Sequence, residues 1–109
     1  MKKNLLFICS MNQWRSPTAE TLFRKHADYS VRSAGTRDKA RRKVTAKDIQ
    51  WADLIFVMEQ KHKQRLKATY GSLLQYKTLH VLDIEDNYQY MDEELVRLLT
   101  LSIENLLDI

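Results

Sequence analysis

Apolar residues in this chain come in short blocks set between helical stretches, with no long hydrophobic run. Asn4 to Ile8, Val31 to Ala34, Leu54 to Met58 and Thr78 to Leu82 each read as a strand. The first is apolar at consecutive positions, as expected of a strand buried on both faces. Ala19, Leu22, Phe23 and His26 share one face of a helix predicted from Ser16 to about Ala27. Ser16 is a good N-cap there, and Pro17 suits the first helical position, where its missing N–H goes unused. Thr45-x-x-Asp48 marks the cap of a short helix through Trp51. Glu59 to about Tyr70 reads as a cationic surface helix with Gly71 as its stop. Asp92, Glu93 and Glu94 supply an acidic first turn to a closing helix whose apolar stripe is Leu95, Leu99, Ile103, Leu106 and Leu107.

Strands alternating with helices predict an α/β fold: three layers, α/β/α, around a four-stranded parallel sheet. Right-handed crossovers put helices on both faces. Ligands in such sheets sit beyond the carboxyl ends of the strands, and Cys9 falls at the end of the first predicted strand. At 109 residues the chain is expected to form a single domain, 1–109, with one real core.

Composition narrows the function classes. The chain is 44% hydrophobic and 29% charged, ordinary for a soluble globular protein. No apolar run approaches the ~18 residues that span a bilayer, and Leu5 to Ile8 is too short for a signal peptide; a cytoplasmic protein without a membrane partner is expected. The single cysteine excludes an internal disulfide framework and a thiolate metal cluster. His26, His62 and His80 lie far apart in sequence, so neither metal nor cofactor is expected. Residues 1–82 carry a net charge of +11 and residues 83–109 a net of −7. The basic part attracts anions, and the acidic end moderates unspecific nucleic-acid binding.

The chemistry concentrates in Cys9-Ser10-Met11-Asn12-Gln13-Trp14-Arg15-Ser16. Five residues between a cysteine and an arginine can curl so that the N–H groups of Ser10, Met11, Asn12, Gln13 and Trp14 grip the oxygens of a dianion. The loop leads into a helix N-terminus, whose dipole adds positive potential. Arg15 then binds two phosphate oxygens with its planar fork. The same field favours Cys9 as a thiolate nucleophile, which attacks phosphorus to form a phosphocysteine.

Leu6-Phe7-Ile8-Cys9 through Asn12, with Arg15-Ser16-Pro17 and Ala19-Glu20, resembles the opening of the low-molecular-weight protein tyrosine phosphatases. Ser33-Ala34-Gly35-Thr36, Ile55-Phe56-Val57-Met58 and Glu85-Asp86-Asn87-Tyr88 resemble later signatures of that family, in order along the chain. The resemblance implies roles by residue. Cys9 is the nucleophile, Arg15 the transition-state clamp, and Asn12 holds the loop's backbone. Ser16 donates to the Cys9 sulfur, and Asp86 is general acid and then general base. Asp83 and Glu85 crowd the same strand end, where either could reach the site in place of Asp86, and Tyr88 and Tyr90 are candidates for stacking on an aryl substrate at the mouth.

The chain also departs from the family pattern. Met11 stands where the family has glycine, so the loop must curl without that freedom. Trp14 replaces a second cysteine found in many members, and Asn87 replaces the proline after the acid, which should loosen that loop. Only eight residues separate Thr36 from Thr45, where the family has a long segment forming part of the substrate wall; a more open site follows. The basic stretch from Arg37 to Lys43 fills that gap, as a solvated loop, a steering patch for phosphorylated proteins, or a phosphate-contacting nucleic-acid surface.

The reading that follows is a metal-free phosphate monoester hydrolase acting on phosphotyrosine in proteins or on small aryl phosphates. The alternatives are a phosphate-binding regulatory module that has lost turnover, an arsenate reductase, which would need further cysteines, and a basic nucleic-acid-binding domain resting on charge alone.

Overall fold

A computed structural model describes residues 2–109. Strands β1 (Lys3–Cys9), β2 (Tyr29–Gly35), β3 (Leu54–Val57) and β4 (Thr78–Val81) form one parallel sheet in the order β2-β1-β3-β4. Helices α1 (Arg15–Phe23), α2 (Ala46–Trp51), α3 (Gln60–Leu74) and α4 (Glu93–Leu107) cover it. The predicted α/β/α architecture is therefore the observed one.

The consecutive apolar residues of β1 divide between the two faces with the period of two that a strand imposes. Leu5, Phe7 and Cys9 pack with Ala19 and Phe23 of α1 and with Leu95, Leu99 and Ile103 of α4. Leu6 and Ile8 pack with Ile49 of α2 and with Leu66 and Leu74 of α3. β1 has β2 on one side and β3 on the other, so the chain leaves it in opposite directions there. A crevice opens at such a switch point, and Cys9 lies on its floor, paired with Gly35.

Three helix boundaries differ from the sequence expectation, each for a local reason. α1 begins at Arg15, not Ser16; its N-cap is Trp14, without a side-chain cap. Ser16 lies inside the first turn with its hydroxyl committed to Cys9 and Asn12, and Pro17 still occupies a position whose N–H has no intrahelical partner. The helix ends at Phe23, so His26 lies beyond it, its ring 4.7 Å from that of Tyr29. α3 runs past Gly71 to Leu74 across a kink at Tyr70 (φ −127°, ψ 25°). Gly71 adopts no left-handed conformation, and the extra turn carries Leu74 into the core. Asp92 is the N-cap of α4, accepting from the N–H groups of Glu94 and Leu95, and the stripe of that helix is buried only through Ile103, with Leu106 exposed. The Thr45–Asp48 capping box of α2 forms as predicted.

The two glycines give opposite expectations. A Cβ on Gly35 would stand 2.5 Å from the Ser10 carbonyl oxygen and 2.6 Å from the Ala40 Cβ, in backbone that cannot yield cheaply. Gly71 has nothing within 4 Å. In urea unfolding, Gly35→Ala is expected to lose about 1–3 kcal/mol, and Gly71→Ala to gain about 0.5–1 kcal/mol. Equal effects at the two positions would contradict this packing.

Candidate active site

Residues 10–14 join β1 to α1 in a tight loop whose shape rests on Asn12. Its φ of 55° is left-handed, a conformation asparagine tolerates better than most residues. Met11 has no positive φ, so the loop curls, as expected, without the backbone freedom of a glycine at that position. The Asn12 side chain is buried, and its Nδ2 donates to Ser16 Oγ and to Ser33 Oγ, both at 2.9 Å. Each hydroxyl that accepts there turns its own proton elsewhere. The Ser33 hydroxyl donates to Glu20 Oε1 at 2.6 Å. The Ser16 hydroxyl lies 2.9 Å from Cys9 Sγ and 3.4 Å from the Ala34 carbonyl oxygen, and the shorter contact directs its proton at the sulfur. One amide thus sets the direction of two hydrogen-bond chains.

The loop's carbonyls are taken up from outside. Cys9 O accepts from Thr36 N at 3.0 Å, Ser10 O from Arg37 N at 3.1 Å and Met11 O from Arg41 N at 2.9 Å. Asn12 O accepts from Arg41 Nε at 2.9 Å. With its carbonyls turned outward to these partners, the loop turns its N–H groups to the interior of the curl, the arrangement of an anion nest. The basic stretch therefore does more than carry solvated charge. Arg41 braces the loop, Arg42 donates to Asp48 Oδ1 at 2.6 Å and to Ser33 O at 2.8 Å, and Lys43 pairs with Asp38.

Arg15 is only 2% exposed, and a buried cation needs paired acceptors. Its Nη1 donates to Glu59 Oε1 at 2.5 Å and to the Ile84 carbonyl at 2.8 Å. Nε lies 3.6 Å from Asp86 Oδ1, so the edge formed by Nε and Nη2 keeps no hydrogen bond within the described residues. Burial alone would raise the Glu59 carboxyl, but the bond and the charge of Arg15 outweigh it and hold the group below its ordinary value. Glu59 also begins α3, where His62 Nδ1 accepts its backbone N–H at 3.0 Å. That fixes the tautomer: Nε2 carries the proton and donates to Ser10 Oγ at 2.8 Å. Burial, then the nearby Arg15 charge, pushes His62 down to about 4.

A small cleft of about 30 Å³ gathers Cys9, Met11, Gln13, Trp14, Arg15 and Asp86. Of the expected substrate-binding residues, Met11, Gln13 and Trp14 face it. Asn12 and Ser16 stand behind the loop as supports, and the Ser10 side chain is turned toward His62. Asp83 and Glu85 line a different cleft with Glu59 and Lys61. Asp86 is carried by a segment tied to the scaffold at Ile84 N to Met58 O, 2.8 Å, and at Met91 N to Thr18 Oγ1, 2.9 Å; these ties hold the loop that Asn87 was expected to loosen. Tyr88 packs against the core beside α4, and the Tyr90 hydroxyl pairs with Thr21 Oγ1 at 2.7 Å. Neither tyrosine lines the Cys9 cleft. Glu20 and Ser33 entered the sequence reading only inside family signatures and Arg41 only inside the basic stretch, while Glu59 and His62 were given no site role. Of the last two, Glu59 carried a signal, as the first polar residue after an apolar strand.

Among the described residues, no group of three or more His, Cys, Asp or Glu side chains is placed to hold a metal ion, and no helix is long and apolar enough to cross a membrane.

The fold is that of the low-molecular-weight protein tyrosine phosphatases. The chain superposes on the low molecular weight protein tyrosine phosphatase from Streptococcus pyogenes with a TM-score of 0.78, over 97% of this chain and 91% of that one, at 20% identity. The tyrosine phosphatase Wzb from Escherichia coli K30, in complex with phosphate, gives 0.77 over 97% and 96% at 22% identity. The drosophila arginine phosphatase gives 0.66 over 94% and 90% at 25% identity. No protein-family model matches the chain, and no curated protein matches it by sequence.

The His62 environment predicts a pH dependence. The unfolded chain takes up a proton at His62 as pH falls through the ordinary value of about 6.5, whereas the folded chain does so only near about 4. Folding stability should therefore fall between pH 7.5 and 5, by on the order of 2 kcal/mol from this group. His62→Gln keeps an acceptor for the Glu59 N–H and should flatten that slope in urea unfolding. An unchanged slope would contradict the assignment.

Proposed function

We propose that this chain is a low-molecular-weight protein tyrosine phosphatase, a cysteine-dependent phosphate monoester hydrolase whose whole site is housed in one domain, 1–109. The observation that carries the reading is the convergence of Cys9, Arg15 and Asp86 on one cleft, with Ser16 aimed at the Cys9 sulfur. The phosphoryl oxygens sit against the inward N–H groups of residues 10–15 and the Nε–Nη2 edge of Arg15, with Nη1 held back by Glu59. Cys9 Sγ attacks phosphorus, and the ester oxygen leaves with the proton of Asp86. A phosphocysteine remains. Asp86 then takes a proton from water as its oxygen attacks phosphorus, and the thiolate departs with the Ser16 hydroxyl stabilising its charge. Inorganic phosphate is the product.

Phosphotyrosine on a protein is the substrate class the cleft favours. The exposed ring of Trp14 lines it and offers a flat face to an aryl group. A compartment that keeps the lone thiol reduced, such as the cytoplasm, suits this chemistry. Arsenate reduction lacks support, because the chain has no further cysteine. The Met11 substitution, which favoured a module without turnover, leaves the loop's curl intact.

Hydrolysis of an aryl phosphate, with metal chelator and reductant present, tests the proposal. Cys9→Ser should abolish turnover, Asp86→Asn should cut it by roughly 10²–10⁴, and Asp83→Asn should leave it within about twofold. No turnover by the wild type, with phosphate still bound, would make the chain a binding module. Faster release of phosphate from phosphoarginine than from phosphotyrosine peptides would reassign the substrate.

A further inference from the structure

Beside the Cys9 cleft lies a second, larger one of about 330 Å³, lined by Ser10, Thr36, Arg37, Lys61, His62 and Arg65 among others. Three of these residues are exposed cations and none of the lining residues is a carboxylate. Arg37 and Arg65 form no ion pair among the described residues, and Lys61 reaches only Glu59, at 3.7 Å, an acid already engaged by Arg15. Lys61 and Arg65 stand four residues apart on α3, where like charges repel. His62, neutral near pH 7, adds no further positive charge. The cleft is tied to the reactive loop: Ser10 belongs to both, and Thr36 N and Arg37 N bond the carbonyls of Cys9 and Ser10.

We propose that this cleft is a second anion subsite, which holds a carboxylate or a second phosphate borne by the polypeptide substrate within a few residues of the phosphorylated side chain. This rests on the phosphatase reading above. The cations supply the charge, the Thr36 and Ser10 hydroxyls border it, and the volume admits a side chain with part of its backbone. A polypeptide fits better than a nucleic acid, because no Phe, Tyr or Trp ring lines the cleft and single-stranded nucleic acid gains affinity by stacking its bases on such rings. The site would thus select phosphotyrosines in acidic surroundings.

The test compares two phosphotyrosyl peptides, one with acidic residues flanking the phosphotyrosine and one with glutamines in their place. The wild type should hydrolyse the acidic peptide with a kcat/KM roughly three- to tenfold higher at low salt, and the advantage should shrink as salt rises. In the Arg37→Ala/Arg65→Ala double variant the two peptides should agree within about twofold, with hydrolysis of a small aryl phosphate unchanged. Equal kcat/KM in the wild type, or a preference kept by the variant, would overturn the subsite. Peptide affinity for Cys9→Ser, with and without the Arg37 and Arg65 substitutions, reads the cleft without turnover. If the wild type hydrolyses no aryl phosphate, the phosphatase reading fails, while tighter binding of the acidic peptide, lost with the two arginines, would still support the anion cleft. Tighter binding of single-stranded RNA than of the acidic peptide, lost with the same substitutions, would overturn the choice of occupant.

Discussion

Asn12 must hold a left-handed backbone conformation while fully buried, and the shape of the reactive loop depends on how that is met. Left-handed backbone costs an ordinary residue about 1–2 kcal/mol, and the Asn12 Oδ1 has no hydrogen-bond partner among the described residues. Against this stand two donated bonds, to Ser16 and Ser33, and the Arg41 guanidinium on its carbonyl. Those contacts also do the directional work of the site. Because Asn12 donates to both hydroxyls, Ser16 points its proton at Cys9 and Ser33 points its proton at Glu20. A side chain that restored only the backbone angle would leave the sulfur without an oriented donor.

Arg15 imposes the second constraint. A guanidinium 2% exposed requires a counter-charge, yet one that engaged its whole fork would leave nothing for a ligand. Glu59 meets both conditions by binding Nη1 alone, with the Ile84 carbonyl as second acceptor. Holding Glu59 there is the task of the first turn of α3, where His62 accepts its N–H. A protonated His62 would lose that acceptor nitrogen and face Arg15 with a like charge. The downward shift of His62 and the placement of Arg15 are thus two sides of one arrangement.

The sheet, its helices and the Cys9–Arg15 loop were legible in the sequence because they rest on local signals. Apolar blocks mark the strands, and the spacing of Cys9 and Arg15 at a strand end marks the loop. What escaped depends on long-range partners. Ser16 looks like an N-cap until the sulfur of Cys9 and the amide of Asn12 claim its hydroxyl. Gly71 looks like a stop until core packing of Leu74 carries the helix past it. Glu59 and His62 read as the start of a solvated helix, and only the pairing of β3 with β1 brings them against the loop. Sequence alone also left Asp83 and Asp86 as rivals; in the structure Asp86 lines the Cys9 cleft and Asp83 a different one.

The short connection from Thr36 to Thr45 explains how the mouth is built. Its eight residues return the chain to α2 and brace the reactive loop at the same time. Arg41 is spent on Met11 and Asn12, Arg42 on Ser33 and Asp48, and Lys43 on Asp38. With the side chains of its middle and end engaged in these bonds, this segment has little left with which to form a wall over the cleft. The aromatic surface at the mouth comes instead from within the loop, at Trp14, and of the outward cations left in the segment, Arg37 faces the flanking cleft with Lys61 and Arg65. The structure thus offers one ring and one patch of positive charge beside the Cys9 cleft; under the proposed function, charge next to the phosphorylated residue is the feature such a short chain is best equipped to read.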